Sequence, residues 1–181
     1  HITFMGGESV VIRGGRELPT EIDMVLLEND LVRTGADGFV TIVYHDDSVT
    51  RLSANTELSI DKLVKLPATQ VELSLQSGNL WTNVPALSGT DSYFGVYFAD
   101  KFAEVSNKAA FNIDLDNEEP AELEVFHSVV YVEEKPVING YKAKVVEDKD
   151  LKVTRLNDDD RYRDWVKENM FEDQRYVDSV L

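Results

Sequence analysis

Most of the chain consists of short stretches in which apolar and polar residues alternate. The alternation is strictest over residues 71–76 and 93–98, where every second side chain could face a core. From Gly6 to Val146, turn residues separate these stretches, and no segment with helical periodicity lies between them. The pattern predicts an all-β protein, built either as an antiparallel β-sandwich or as a solenoid-like β roll.

Glycines near the ends of the stretches indicate where the chain turns. Four of them are predicted structural turns, because a residue without Cβ accepts positive φ at no steric cost: Gly35, Gly38, Gly78 and Gly140. A weak repeat, in which a small residue accompanies an apolar stretch, occurs at residues 8–12, 77–81 and 127–131. It is either a repeated hairpin frame or the ordinary reuse of turns by β proteins. In both cases we expect the strand to change face there, and apolar residues on both faces of residues 126–129 predict a bulge or a tight corner.

The pattern changes near residue 150. Asn157 is a suitable helix N-cap, and the three aspartates that follow it would favour the positive end of a helix dipole. Apolar and amide residues then recur at steps of three and four: Tyr162, Trp165, Val166, Asn169, Met170, Tyr176, Val177 and Val180. We predict a β domain over residues 1–150 and, over residues 151–181, a linker and a short amphipathic helix, which is either continuous or divided into two by a break near residues 171–173. This helix packs on its own β domain, or it docks onto a partner or a following domain.

Charge and cysteine content exclude several classes of function. The 181 residues include 34 acidic and 18 basic side chains, which give a formal net charge of −16. Such a surface repels the phosphates of nucleic acids and anionic membranes, so we predict no nucleic-acid partner and membrane contact only through a segment outside this chain. The absence of cysteine removes disulfides, thiolate nucleophiles and cysteine-based zinc sites. No apolar run in the sequence is long enough to cross a bilayer.

The residues that could carry catalysis or bind metal are better explained as turns and loops. Residues 45–48 read His-Asp-Asp-Ser, but contiguous side chains in a turn diverge instead of converging on a substrate. No nucleotide-binding or nucleophile-elbow motif occurs, so we predict no enzyme, no catalytic residue and no cofactor. The acidic stretch at residues 114–122 is either a solvated loop or a weak calcium site with Asp114, Asp116 and Glu118 as ligands, since calcium prefers oxygen.

Aromatic residues are denser around residue 95 than one core face requires. Four aromatic side chains in the chain are candidates for binding a partner: Tyr93, Tyr97, Phe98 and Trp165. The aromatic strand either contributes to a core and a second packed layer, or it forms an exposed sheet edge to which a partner adds a strand. Trp81 is predicted to anchor the core.

Four motifs follow one another through the β region. Residues 30–38 read Asp-Leu-Val-Arg-Thr-Gly-Ala-Asp-Gly, and residues 52–58 read Leu-Ser-Ala-Asn-Thr-Glu-Leu. Residues 75–84 read Leu-Gln-Ser-Gly-Asn-Leu-Trp-Thr-Asn-Val, and residues 137–141 read Val-Ile-Asn-Gly-Tyr. The ordered set resembles the FecR domain family over residues 6 to 146, as a divergent member in which Ser128 stands where a glycine is usual.

The resemblance implies a non-enzymatic, extracytoplasmic protein-interaction domain. FecR-like domains lie in the periplasm or at the cell surface and act as sensor or relay modules of membrane-anchored signalling regulators. In the best-known systems they pass the ligand-loaded state of a receptor to a sigma factor. The resemblance therefore implies a protein partner and a transmembrane helix that would precede this chain. The alternative is a structural or assembly module of a cell envelope or surface appendage, and a third possibility is a carbohydrate or calcium-dependent ligand binder.

Overall fold

The fold is built from β-strands that follow the alternating stretches of the sequence. The computed structural model describes residues 1–115, 119–146 and 150–180. The strands are β1 (Ile2–Gly6), β2 (Ser9–Arg13), β3 (Arg16–Pro19), β4 (Leu31–Thr34), β5 (Phe39–Val43), β6 (Val49–Leu52), β7 (Glu57–Val64), β8 (Gln70–Val84), β9 (Tyr93–Phe98), β10 (Lys101–Val105), β11 (Ala109–Leu115), β12 (Glu122–Val132), β13 (Lys135–Ile138), β14 (Tyr141–Val145) and β15 (Leu151–Arg155). The helices are α1 (Asp158–Tyr162) and α2 (Asp164–Val180). The predicted all-β class with a C-terminal helical appendage is confirmed.

Two sheets form the β domain, and they share two long strands. We call one the helix-covered sheet, with strand order β1-β5-β6-β8-β11-β12-β14-β15. We call the other the open sheet, with strand order β3-β2-β4-β7-β8-β9-β10-β12-β13. The described strand pairs are antiparallel except for β8 and β9, which run parallel. Because β8 and β12 belong to both sheets, the sandwich is partly closed like a barrel.

The inward side chains of both sheets form one core. Its largest fully buried members come from the two layers in similar numbers and include Ile42, Leu80 and Phe111 from the helix-covered sheet and Leu73, Phe94 and Phe98 from the open sheet. Burying a side chain of this size stabilises a fold by about 1.5–3 kcal/mol. A core of this extent needs no disulfide, which agrees with the absence of cysteine.

The two shared strands change sheet at the small residues of the predicted repeat. β8 pairs with β7 up to Ser77 and with β11 from Gly78 onward, and Gly78 has a φ of +86°, where an added Cβ would lie 2.4 Å from Thr56 Oγ1. β12 pairs with β11 up to Ser128 and with β13 from Val129 onward, and Ser128 has a φ of +62°. A positive φ bends the strand and favours glycine. The predicted changes of face at both positions are confirmed.

Gly35 and Gly38 are required because a side chain would not fit at these positions, and not because the backbone adopts a positive φ there. Neither residue has a positive φ, so this part of the prediction is wrong. A Cβ on Gly38 would lie 2.1 Å from the carbonyl oxygen of Glu8, and the Gly35 amide donates to the same oxygen at 2.7 Å. The β4–β5 turn therefore approaches the β1–β2 turn too closely for a side chain. Gly140, in contrast, has a φ of +85° and is a positive-φ turn as predicted.

The C-terminal region differs from the predicted linker and single helix. Leu151–Arg155 form β15, because this segment can complete the edge of the helix-covered sheet by pairing with β14. Asn157 caps α1 as predicted: its Oδ1 accepts from the Asp160 amide at 2.8 Å, and its own amide donates to Asp160 Oδ2 at 3.0 Å. The helix breaks at Arg163, whose ψ is 148°, and not near residues 171–173. Among the described residues, no helix combines the length and the apolar character that crossing a membrane requires.

Candidate protein-interaction surfaces

A row of polar and aromatic side chains crosses the outward face of the helix-covered sheet. Each member lies directly opposite the next in the strand register, and we call this set the polar row: Arg51 (β6), Trp81 (β8), Asn112 (β11), Glu124 (β12) and Lys142 (β14). Their neighbours Leu80 and Ile113 point the other way, into the core. Trp81, predicted as a core anchor, is buried on this outward face instead, as are Asn112 and Glu124. A second layer must therefore cover the polar row.

The C-terminal helices provide this layer. Asp173 accepts hydrogen bonds from Arg51 Nη1 at 2.5 Å and from the indole nitrogen of Trp81 at 2.9 Å. The indole nitrogen of Trp165 donates to Asn112 Oδ1 at 2.8 Å. Trp165 and Asp173 are a little over two helical turns apart, so one face of α2 presents both side chains. Of the two predicted alternatives, the helix packs on its own β domain.

The inward face of α2 is as polar as it is apolar. Val166 and Asn169 are buried, and Asn169 Nδ2 donates to the carbonyl oxygen of Trp165 at 2.7 Å. Met170, which the predicted stripe included, is half exposed. The remaining members of the predicted stripe have side chains outside the described set: Tyr162, Tyr176, Val177 and Val180. The helix is therefore positioned by hydrogen bonds and ion pairs in addition to apolar packing.

An ion-pair network joins the polar row to α1. Lys142 Nζ lies 3.1 Å from Glu122 Oε1 and 2.9 Å from Asp160 Oδ2, and Arg163 pairs with Glu124. The carboxylate oxygens of Glu122, Glu124 and Asp160 lie within 4.8 Å of one another, a spacing that could hold a metal ion. The ammonium and guanidinium groups already compensate these charges, so the cluster holds α1 against β12 and β14.

Glu124 is a strongly perturbed acid at the junction of the two helices. Its Oε2 accepts hydrogen bonds from Asn112 Nδ2 at 3.1 Å and from Arg163, whereas its buried Oε1 has no hydrogen-bond partner among the described residues. Burial raises the pKa of Glu124 to about 7; the charges of Glu122 and Asp160 add to this rise, and Arg163 opposes it. The contact between helix and sheet therefore contains a carboxyl group that titrates near neutral pH.

Two grooves run beside α2. One has a volume of about 730 Å³ and lies between Met170 and Phe126. The other has a volume of about 910 Å³ and lies between α2 and β5, with the exposed rings of Phe4 and Phe39 on its wall. The centroids of these two rings are 5.4 Å apart. Exposed apolar walls of this kind are typical of surfaces that contact other proteins.

The outward face of the open sheet presents exposed aromatic side chains. Tyr97 and Phe102 lie opposite each other with ring centroids 4.5 Å apart, and Phe102 leans over Gly95, where a Cβ would lie 2.2 Å from its ring. Glu104 lies opposite Gly95 on one neighbouring strand and opposite Tyr131 on the other. Tyr97 and Tyr131 are each 43% exposed. We call Tyr97, Phe102, Glu104 and Tyr131 the aromatic patch.

The structure separates the four aromatic residues that were predicted to bind a partner. Phe98 is 1% exposed and lies in the core, so its assignment to a contact surface is wrong. Strand addition to β9 is also wrong, because β8 and β10 already occupy both of its edges. Tyr97 faces solvent, and the hydroxyl of Tyr93 donates to Glu72 on the same face. Trp165 contacts the domain's own sheet, and a partner-binding role for Tyr93, Tyr97 and Trp165 stays a prediction.

The remaining candidate sites are local structure or stay untested. Ser48 donates from its amide and its hydroxyl to Asp46, at 3.1 and 2.8 Å, so the His-Asp-Asp-Ser segment is the predicted turn between β5 and β6. Asp114 lies in β11. Asp116 and Glu118, the other two predicted calcium ligands, lie outside the described residues, so calcium binding stays a prediction.

Comparison with known proteins identifies the family. The model of the family described as FecR protein matches residues 30–131, which is more than half of the chain. The chain belongs to the FecR family. FecR proteins are signalling regulators, and membership of the family supports a regulatory rather than an enzymatic role. No curated protein matches the chain significantly.

Solved structures share the fold of this FecR protein. Two crystal structures of a candidate anti-sigma factor from Parabacteroides distasonis each superpose with a TM-score of 0.58, at 14% and 16% sequence identity. Each superposition covers 71% of this chain and 61% of the other. Identity at this level shows a common fold and nothing more specific. This chain spans less than two thirds of the length of those proteins.

The FecR motif at residues 30–38 stabilises local backbone structure at both ends of β4. Asp30 is buried and accepts from Arg13 Nε at 2.8 Å, from Arg13 Nη2 at 2.7 Å and from the Leu27 amide at 2.8 Å. Burial opposes the ionisation of Asp30, but these donors hold its pKa below the usual range. Asp30 therefore anchors the start of β4 to β2, and the close approach at Gly38 holds the other end of β4, the β4–β5 turn, against the β1–β2 turn.

No local pattern in the sequence marks the polar row. Arg51, Asn112 and Glu124 are single polar residues on separate strands, and only the register of the sheet aligns them. The sequence feature that points to the polar row is on the helix, where Asp173 and Trp165 lie on one face. A carboxylate on the inward face of an amphipathic helix requires a buried donor, and that donor had to come from the sheet.

Proposed function

We propose that this FecR-family chain is a non-enzymatic, extracytoplasmic protein-interaction domain that serves as the sensor or relay module of a membrane-anchored signalling regulator. The observation that carries the proposal is the family match over residues 30–131. The common fold with a candidate anti-sigma factor is consistent with it. In this role the domain receives a protein contact on one surface and changes the state of another.

The shared strands offer a physical connection between two such surfaces. β8 contributes Trp81 to the polar row and Glu72 to the outward face of the open sheet. β12 contributes Glu124 to the polar row and Tyr131 to the aromatic patch. A partner bound to the open sheet therefore contacts the same strands that hold the C-terminal helices on the other side. Under this proposal, the position of α2 is the output of the module.

Location and signalling can be tested in cells that carry the natural gene. Protease added to spheroplasts should digest an epitope-tagged domain while a cytoplasmic control protein stays intact. Deleting the gene should change transcription of a limited set of genes that share one promoter class, as expected when a sigma factor loses its regulator. Protection from protease, or unchanged transcription under inducing and non-inducing conditions, would contradict the proposal.

A second candidate function is a structural or assembly module of the cell envelope or of a surface appendage. Exposed apolar side chains outside the aromatic patch favour it, because assembly requires contacts on more than one side: Phe4, Ile22, Val25 and Leu27. In that case the domain should cross-link into an envelope complex in intact cells, and deleting the gene should alter the envelope while transcription stays unchanged.

A further inference from the structure

One lysine on the open sheet is already held between a carboxylate and an aromatic ring. Lys62 Nζ lies 3.3 Å from Glu72 Oε1, 3.0 Å from the hydroxyl of Tyr93 and 5.5 Å from the centroid of the Tyr93 ring. A carboxylate beside the face of an aromatic ring attracts ammonium and guanidinium groups through both charge and the ring quadrupole. The outward face of this sheet therefore contains an occupied cation site whose ligand comes from the chain itself.

The aromatic patch repeats this combination without a cation of its own. Glu72 and Glu104 flank Gly95 on the two neighbouring strands, so the patch lies directly beside the occupied site. Glu104 is opposite Tyr131, and the Cβ atoms of such a cross-strand pair lie about 4.5–5.5 Å apart. Among the described residues, the side-chain carboxylate of Glu104 has no hydrogen-bond or ion-pair partner. The patch thus offers a free carboxylate next to an exposed aromatic ring.

The charges elsewhere support an external cation at this position. On the helix-covered sheet, Glu122 and Glu124 form ion pairs with Lys142 and Arg163, whereas the carboxylate of Glu104 has no ion-pair partner among the described residues. The chain as a whole carries a formal charge of −16, which attracts a basic partner over a longer range. The rings of Tyr97 and Phe102 are tilted by 36° to each other, so the two rings do not form one continuous flat platform.

We infer that the aromatic patch is a docking surface for a lysine- or arginine-bearing segment of a protein partner. Glu104 pairs with the charge, while Tyr131 and Tyr97 contact the alkyl stem or the guanidinium plane. The inference rests on the proposed function, since it names the chemistry that a protein-interaction domain of this shape recognises. It also explains why exposed aromatic residues and an unpaired acid occur together on the face that the helices leave open.

Binding of basic peptides to the complete 181-residue chain tests the inference. Fluorescein-labelled (Lys-Gly)5 and (Arg-Gly)5 peptides are titrated with the protein at low salt, and fluorescence anisotropy reports the affinity. We expect Glu104→Gln and Tyr131→Ala each to weaken binding about fivefold, since one cation contact is lost in each case. Glu21→Gln is the matched control, because it removes one exposed charge in the loop after β3, the far edge strand of the same sheet, and should change the affinity less than about twofold.

Other results would overturn the inference. Equal losses in Glu104→Gln and Glu21→Gln would show that the peptides respond only to net charge. Equal binding of (Gln-Gly)5, binding of maltohexaose that depends on Tyr131, or self-association that depends on Glu104 would assign the patch to a different occupant. Circular dichroism melting curves that match the wild type establish that the variants are folded.

The outcome is separable from that of the proposed function. If the basic peptides do not bind the patch but deleting the gene changes transcription, the inference is wrong and the regulatory role stands. If the peptides bind through Glu104 and Tyr131 but deleting the gene leaves transcription unchanged, the patch is a docking surface in a protein with another role.

Discussion

The two outward faces of the sandwich carry similar residues, which are buried and paired on one face and exposed on the other. On the helix-covered sheet, Trp81 and Glu124 are buried, and the C-terminal helices supply their hydrogen-bond and ion-pair partners. On the open sheet, Tyr131 is exposed and Glu104 has no such partner among the described residues. The comparison shows that an aromatic residue and an acid on a strand do not reveal their role by themselves. The presence or absence of a covering layer decides it.

Substitutions should reduce stability more on the covered face than on the open face. Arg51 and Asp173 are each only 13% exposed at the side chain, so removing one of them leaves the other with little access to water. A buried charge that loses its partner is strongly destabilising, whereas an exposed pair contributes little. Substitutions on the covered face should therefore act on stability, and substitutions on the open face should act on binding.

The largest contrast is expected between two aromatic residues, one on each face. Trp81→Ala should lower the free energy of unfolding by about 3–5 kcal/mol, because it removes a fully buried ring and the donor to Asp173. Tyr97→Ala should lower it by less than about 1 kcal/mol, since Tyr97 lies on the solvent-facing side of its sheet and is 43% exposed. Urea denaturation followed by circular dichroism measures both. Similar losses for the two variants would contradict the division of roles.

The next effect is a pH dependence that belongs to the covered face. Because the pKa of Glu124 is raised from 4.5 to about 7, the folded protein holds this proton more tightly than the unfolded chain does. The stabilisation from this group is complete below pH 4.5 and is lost as the pH rises through about 7, with an upper limit of about 3 kcal/mol. We expect stability to fall less steeply between pH 5 and about 7.5 in Glu124→Gln than in the wild type. Glu104→Gln, on the open face, should keep the wild-type slope, and an unchanged slope in Glu124→Gln would show that Glu124 does not titrate in this window.

A moderate loss is expected at the contact between helix and sheet. Asp173→Ala leaves the guanidinium of Arg51 and the indole nitrogen of Trp81 without an acceptor, so it should destabilise by about 2 kcal/mol. Glu168→Ala removes an exposed acid from the same helix and should change stability by less than about 0.5 kcal/mol. Denaturant titration of the two variants gives both values. Equal stabilities would mean that α2 does not depend on its contact with the polar row.

The smallest effect is expected at the corner where β12 passes from one face to the other. Ser128→Gly should stabilise by about 0.5 kcal/mol, because glycine relieves the strain of the positive φ but gains freedom in the unfolded chain. Gly78→Val, at the corresponding corner of β8, should destabilise by more than about 1 kcal/mol, since its Cβ would overlap Thr56. Thermal melting distinguishes the two signs, and destabilisation by Ser128→Gly would show that the Ser128 side chain has a role of its own.

The strand corners and the strands themselves show which features a local sequence pattern can predict. The repeat around Gly78 and Ser128 predicted the change of face correctly, because a bend requires a small residue at the bend itself. The alternation over residues 93–98 already separated the inward Phe98 from the outward Tyr97, although their shared aromatic character grouped them as one surface. The cap at Asn157 was also predicted, since a capping box lies within four residues. In contrast, Leu151–Arg155 carry no signal strong enough to distinguish an edge strand from a linker.

The sequence by itself determined the β class, the positions of most turns and the helix start, because steric limits and backbone hydrogen bonding act on neighbouring residues. It also carried the FecR motifs, whose residues support a turn. Only the tertiary structure decided which face is covered and which acids are paired. The contact of Arg51 with Asp173 joins residues 122 positions apart, and the pKa of Glu124 follows from burial under a helix that the chain reaches later. The register of the strands and the covering of one sheet by the helices depend on the packing of distant segments. No local pattern encodes that packing.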